Sequence, residues 1–255
     1  MNRFQAMTLF QVRRRAVDGF AIGYNIIFPI VLITILGSLL KGKYDGVVSS
    51  YQYYTIVLIP FCTIMAIITA AYAGKEDAFC QTAIRVIMSP LSKGEIVLAK
   101  ILSCTIVYSI CNVVTLLIAK MIWKVSFQRE FFPVVAILSV TAFCVSALGV
   151  LIGLGMKNFL TVKNVINIPI SIFGVAAGTF FPLGTLDNGL QFLLNLSPLT
   201  WINRSIFLYL YDGSKDLLWT LVGIMLVVGA TFTYLAMKCF RREEYLNGKL
   251  PSSEK

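Results

Sequence analysis

The stretch GVVSSYQYYTIVLIPFCTIMAIITAAYAG, from Gly46 to Gly74, carries no charged side chain and stops at Lys75-Glu76-Asp77. A bilayer core about 30 Å thick needs roughly 20 apolar residues in a helix, so this stretch is long enough to cross with residues to spare, best placed over 51–73. Comparable runs lie at 20–40, 101–123, 131–153, 165–182 and 217–237. The expected fold is an all-α membrane protein with six transmembrane helices. No connecting loop is long enough to fold separately, so 1–255 reads as one membrane domain. Composition points the same way, with 58% hydrophobic and 13% charged residues. Soluble domains carry about 45–50% and about 25%.

The stretch 188–211 is apolar but interrupted by Asn195, Ser197, Pro198, Asn203 and Arg204. A straight lipid-facing helix there would leave polar groups in hydrocarbon. Re-entrant or interfacial outer helices between spans five and six are expected instead. Six crossings put both termini on one side, and the charges say which. With cytoplasmic termini the inner segments hold Arg3, Arg13, Arg14, Arg15, Lys75, Arg85, Lys93, Lys100, Lys157, Lys163, Lys238, Arg241, Arg242, Lys249 and Lys255. The outer ones hold Lys41, Lys43, Lys120, Lys124, Arg129, Arg204 and Lys215. Basic residues favour the cytoplasmic side, which leaves 1–19 as a cytoplasmic interfacial helix and 238–255 as a cytoplasmic tail. The first apolar run is longer than a cleavable signal core, so no cleavage is expected. Trp123, Phe131 and Phe132 at one pair of span ends, with Tyr51, Tyr53 and Tyr54 at another, suit an aromatic belt.

Several chemistries are disfavoured. Histidine is absent, which removes the commonest general base and metal ligand. None of the Gly-Lys pairs sits in a phosphate-binding loop, so this chain is not expected to bind ATP by a P-loop of its own. The basic residues are spread between apolar runs rather than clustered, so no nucleic-acid partner is expected. The six cysteines form no C-x-x-C pair and read as buried hydrophobes. No Asp or Glu falls within an expected span, which counts against an ion-coupled carrier and against an intramembrane enzyme.

Between spans two and three, a helix over 75–88 would gather Phe79, Ala83, Val86 and Ile87 on one arc, with Lys75, Gln81 and Arg85 facing away. Ser89-Pro90 should stop it. Ser92-Lys-Gly-Glu95 then has capping-box spacing, with Leu91 and Ile96 placed as a hydrophobic staple, and gives span three a defined start.

In order along the chain stand a basic N-terminal helix, Phe28-Pro29, Glu76-Asp77 leading to Ser89-Pro90, Phe180-Phe181-Pro182-Leu183, Ser197-Pro198-Leu199-Thr200 and Phe240-Arg241-Arg242. On these features the chain resembles the permease subunits of ABC-2 type exporters, prokaryotic transporters whose membrane protein and ATPase are separate chains. Where that family commonly has Glu-x-Gly-Thr, this chain has Lys75-Glu-Asp-Ala-Phe-Cys-Gln-Thr.

The resemblance implies a multi-pass protein of a prokaryotic cell membrane. It implies that 75–88 is a coupling helix docking on an ABC ATP-binding subunit, with Lys75, Glu76, Asp77, Phe79, Ala83, Arg85 and Ile87 as contact residues. ATP and Mg would sit on that partner, and this chain would bind no cofactor and catalyse no reaction. The N-terminal helix, about Arg3–Val17, would add a second ATPase contact or anchor at the lipid interface. A second permease copy would face this one, with spans one, two and five lining the path. Asn25, Thr34, Thr63, Thr69, Ser171 and Thr179 then become candidate lining residues, or simply satisfy neighbouring helices, and 183–212 an outer gate. The cargo would be an amphipathic drug, antibiotic or peptide, or else a lipid or lipid-linked polysaccharide. Small residues at helical spacing, Ala142, Ser146, Gly149 and Gly153 on span four and Gly174 and Gly178 on span five, read as packing seams, and Thr105, Ser109 and Asn112 as a polar stripe on span three.

Overall fold

The computed structural model describes residues 3–41, 48–80, 82–125, 131–156, 159–180 and 195–240, and no strand occurs among them. Helix α1 covers Arg3–Ala16. Asp18 then accepts hydrogen bonds from the backbone N–H groups of Phe20 and Ala21, capping α2, Gly19–Leu39, which contains a π turn at Gly23–Ile27. Helices α3, Ser50–Met65, and α4, Ile67–Phe79, meet at Ala66. They are followed by α5, Ala83–Met88, and α6, Lys93–Trp123. Then come α7, Phe132–Gly155, and α8, Phe159–Ala176. Helix α9, Pro198–Phe207, runs into a π turn at Leu208–Asp212, and α10 is Asp216–Cys239.

Among the described residues, five helices are long and apolar enough to cross a membrane: α2, the α3–α4 rod over Ser50–Asp77, α6, α7 and α10. The rod is the most deeply buried, while α2 and α10 leave most of their surface uncovered by the chain. This protein is an α-helical multi-pass membrane protein.

Four expectations need correction. The expected single helix over 75–88 is two pieces. Residues 75–79 are the last turn of α4, and α5 begins only at Ala83. The chain breaks between them because the Thr82 N–H reaches back to the Asp77 carbonyl at 2.9 Å while its hydroxyl donates to the Asp77 carboxylate at 3.2 Å. In consequence a carboxylate, Asp77, does lie within a span helix. The helix that carries span three starts at Lys93, at the expected capping box: Glu95 N–H donates to Ser92 Oγ, and Ser92 N–H to the Glu95 carboxylate at 2.7 Å. That places Lys100 inside the helix, buried, not in a loop. Finally, the helix expected over 165–182 ends at Ala176. Gly178, at φ 70°, turns it off, and Thr179 N–H bonds back to the Gly174 carbonyl. Gly178 is thus a cap and not part of a seam, whereas Gly174 lies against the Phe61 ring. Of the expected outer gate, 183–194 lie outside the described residues, as does most of the tail expected over 238–255.

Contacts define two ends of the bundle. At one, Ser50 Oγ donates to the Gly37 carbonyl at 2.7 Å and Tyr51 stacks on Trp123. Tyr53 and Tyr54 hydroxyls there donate to the carbonyls of Gly178 and Phe180 at 2.9 and 3.2 Å. At the other, Lys75 Nζ donates to the Met156 carbonyl at 2.5 Å, and Phe240 joins a buried cluster with Ala83, Val97, Ile101 and Leu154. Met156 and the pair Gly178 and Phe180 are therefore held at opposite ends of the α3–α4 rod. The C-terminal turn of α1 and the end of α10 both lie at the Lys75 end.

Helices in lipid gain little from apolar side chains that lipid already solvates, and associate by close packing. The seam between α4 and α7 is built this way. A Cβ on Gly153 would collide with the Ala71 carbonyl, and one on Gly149 would lie 2.5 Å from the Ala70 Cβ and 2.7 Å from the Ile67 carbonyl. Gly74 approaches Gly153 so closely that its Cβ would sit 3.1 Å from the Gly153 Cα. Gly149→Val or Gly153→Leu should lower unfolding stability in detergent by about 1–3 kcal/mol. Gly223→Ala, where nothing lies within 4 Å, should leave the unfolding midpoint unchanged.

Candidate functional site

Where α4 leaves the bundle, its last turn presents Glu76 and Asp77 toward α1 and α6, and Lys75 toward the end of α7. Arg14 Nε lies 2.8 Å from one Glu76 carboxylate oxygen, and its Nη1 2.6 Å from Asp77. Arg15 bridges Asp18 at 2.8 Å and the second Glu76 oxygen at 2.5 Å. Lys100 Nζ sits 2.6 Å from the other Asp77 oxygen and donates to the carbonyls of Ala73 and Gly74 at 2.9 and 3.3 Å. The Asp77 and Lys100 side chains are each only 1% exposed.

Three cations, Arg14, Arg15 and Lys100, thus meet three carboxylates, Asp18, Glu76 and Asp77. The set is neutral and joins α1, α4 and α6 at one point. Burial works against the Arg14 charge, but Glu76 and Asp77 more than offset it, holding the guanidinium above its ordinary pKa.

Helix α5 follows directly. Its Ala83 is buried and its Ile87 packs on the small core beneath, whereas Ile84 and Met88 are 59% and 81% exposed and Arg85 is exposed beside them. Two of the expected ATPase contacts, Glu76 and Asp77, are consequently engaged within the chain. The surface that remains open is carried by α5. Phe79 lies in the last turn of α4, with its side chain outside the described residues. Arg13 and Lys93 are exposed at the same end, and Leu9 and Phe10 form an exposed apolar strip on α1.

The expected path residues separate into two groups. Thr63 donates to Asn112 at 3.0 Å, and Thr69 shares a 2.6 Å hydrogen bond with the Tyr108 hydroxyl, so both tie the rod to α6. Asn25, in the π turn of α2, is buried and donates to the Ala21 carbonyl at 2.7 Å. Thr179 is wholly buried, its hydroxyl unpaired among the described residues. Only Thr34 on α2 and Ser171 on α8 are exposed.

A family model described as "ABC-2 type transporter" matches residues 2–211, from α1 through α9 and its π turn. The chain belongs to the ABC-2 type transporter family. No curated protein matches it. The ABC-2 transporters place such a chain in the membrane as the permease component of an ABC transporter, which works with an ABC ATPase. In this ABC-2 chain, sequence reasoning found Glu76 and Asp77 but missed Arg14, Arg15 and Lys100 as their partners. The signal that could have found them was a pair of adjacent arginines just before a span and one lysine in an otherwise apolar helical run.

Leaving one member of a buried ion pair unpaired costs about 3–5 kcal/mol, whereas replacing both by apolar groups is often neutral. Asp77→Leu and Lys100→Met should each destabilise the purified protein by that amount. The double variant should recover most of the loss in denaturant titration.

Proposed function

We propose that this chain is the permease of an ATP-driven exporter that works by alternating access in a prokaryotic cell membrane, paired with a second permease copy and a separate ATP-binding subunit carrying ATP and Mg. It crosses the membrane six times with both termini cytoplasmic. The observations favouring this are Met156 and Gly178 held at opposite ends of the rod, the first and last helices ending on the same side of the bundle, and the basic excess there. Helix α1 lies along the interface, with Leu9 and Phe10 toward lipid.

One observation carries the coupling role. A short helix with an open apolar face, α5, is tied within a few residues to a buried ion cluster that grips both α1 and α6. Force on α5 passes through Asp77 into the α3–α4 rod and α6 together. Residues 75–88 remain the docking region, with Ile84, Arg85 and Met88 as its contact surface and Lys75, Glu76, Asp77, Ala83 and Ile87 as the support behind it. Thr34 and Ser171 are the lining residues of the path, and α9 belongs to the outer gate. The cargo is an amphipathic drug, antibiotic or peptide. A lipid or lipid-linked polysaccharide is the alternative that the apolar surfaces of α2 and α8 would also suit.

The test pairs assembly with topology. Ile84→Glu and Met88→Glu should each weaken capture of the co-expressed ATPase by about tenfold or more, as loss of an interface anchor does, and abolish substrate-stimulated ATP hydrolysis. Full assembly and hydrolysis in both variants would remove α5 from the coupling role. Reporter fusions at residues 45, 85 and 255 should read outside, inside and inside.

A further inference from the structure

A cavity of about 510 Å³ lies between α7, α8, α9, α10 and the middle of the rod. Its lining is almost wholly apolar. The one hydroxyl, Thr141 Oγ1, is spent on the Ile137 carbonyl at 2.8 Å and the Met225 sulfur at 3.5 Å. Along α10 the lining runs from Leu221 to Phe232, about 16 Å at the helical rise. That is close to half of the roughly 30 Å hydrocarbon core. The cavity opens sideways, since Ile224 at its rim is 53% exposed.

At the end away from the ion cluster, α9 closes the cavity with Trp201. The Trp201 ring is fixed by its Nε1–H donating to the Asn195 carbonyl at 2.7 Å. Over it stands the exposed Arg204 guanidinium, 5.9 Å from the ring centroid, with no ion pair among the described residues. An apolar slot as deep as one leaflet, capped by a Trp and an unpaired cation, matches a phospholipid feature by feature.

We propose that this cavity holds one acyl chain of a phospholipid from the leaflet opposite the ion cluster, its phosphate resting on Arg204. A polar ligand finds no donor or acceptor inside, and water gains nothing in an apolar void, so hydrocarbon is the occupant the lining selects. The site is separate from α5 and does not rest on the exporter reading.

The test uses the full-length chain in detergent with Trp123→Phe and Trp219→Phe, leaving Trp201 as the only tryptophan. Phosphatidylglycerol brominated on its acyl chains is titrated in, with brominated diacylglycerol as the probe lacking a phosphate. Quenching of Trp201 should saturate for both probes. Arg204→Gln should weaken the phospholipid by about fivefold, the upper range for an exposed ion pair, and leave diacylglycerol unchanged. Val145→Phe inside the cavity, or Ile224→Phe at its half-exposed rim, should abolish saturable quenching. Quenching that rises linearly with lipid, as for a protein keeping only Trp219, would mean ordinary lipid contact and overturn the site. Trp201 left unquenched in a crosslinkable dimer would assign the face to a second copy and overturn the lipid site equally.

Discussion

The contact between Asp77 and Lys100 is the constraint on which the arrangement of this end of the molecule depends. Two charges removed from water are tolerated only when paired and fully hydrogen-bonded, and here neither partner meets that condition alone. Asp77 needs Lys100 from α6 and Arg14 from α1, and Lys100 needs the carbonyls of Ala73 and Gly74 as well. A cation over carbonyls near the end of a helix also complements the helix dipole. Three elements distant in sequence therefore have to arrive together, which fixes the position of α1 although that helix has only a narrow buried face.

The glycine seam and the ion cluster share a turn of α4. Gly74, whose carbonyl Lys100 holds, is also a residue that α7 approaches closely through Gly153. Without a side chain at either position, α7 comes near enough for the Met156 carbonyl just beyond it to receive Lys75. Shape packing, which is short-ranged, and charge pairing, which is costly to break, thus reinforce one another at the same level. Farther along the rod, Thr63–Asn112 and Thr69–Tyr108 add polar rungs between α6 and α3–α4. These make a rigid centre, around which α2 and α10 lie mostly uncovered.

Five of the six expected span helices were legible because hydrophobic length is a local property, and the start of α6 because a capping box is four residues long. What escaped was non-local. Arg14 and Arg15 find their carboxylates more than sixty residues away, and no periodicity marks Lys100 as the partner of Asp77. The helical wheel for 75–88 assumed one unbroken helix, and a single threonine, Thr82, bonding backward to Asp77 ends it. The stop at Gly178 was hidden because its glycine spacing to Gly174 imitates a packing seam. Thr63, Thr69 and Asn25 bond within the chain, a placement the sequence leaves open because a polar group in a span looks the same whether it faces a channel or a neighbouring helix.

The ion cluster also has a history within synthesis. Arg14 and Arg15 emerge from the ribosome long before Glu76 and Asp77, and Lys100 later still, so while the first span is being inserted the two arginines are uncompensated charges. Uncompensated arginines beside a first span are the kind of charge that biases a chain's orientation in a membrane. Once the second and third spans have followed, the same side chains lose their net charge to the carboxylates and become fastenings. Two residues that begin as free charges beside the first helix thus end as part of a lock that closes only after α4 and α6 have been made.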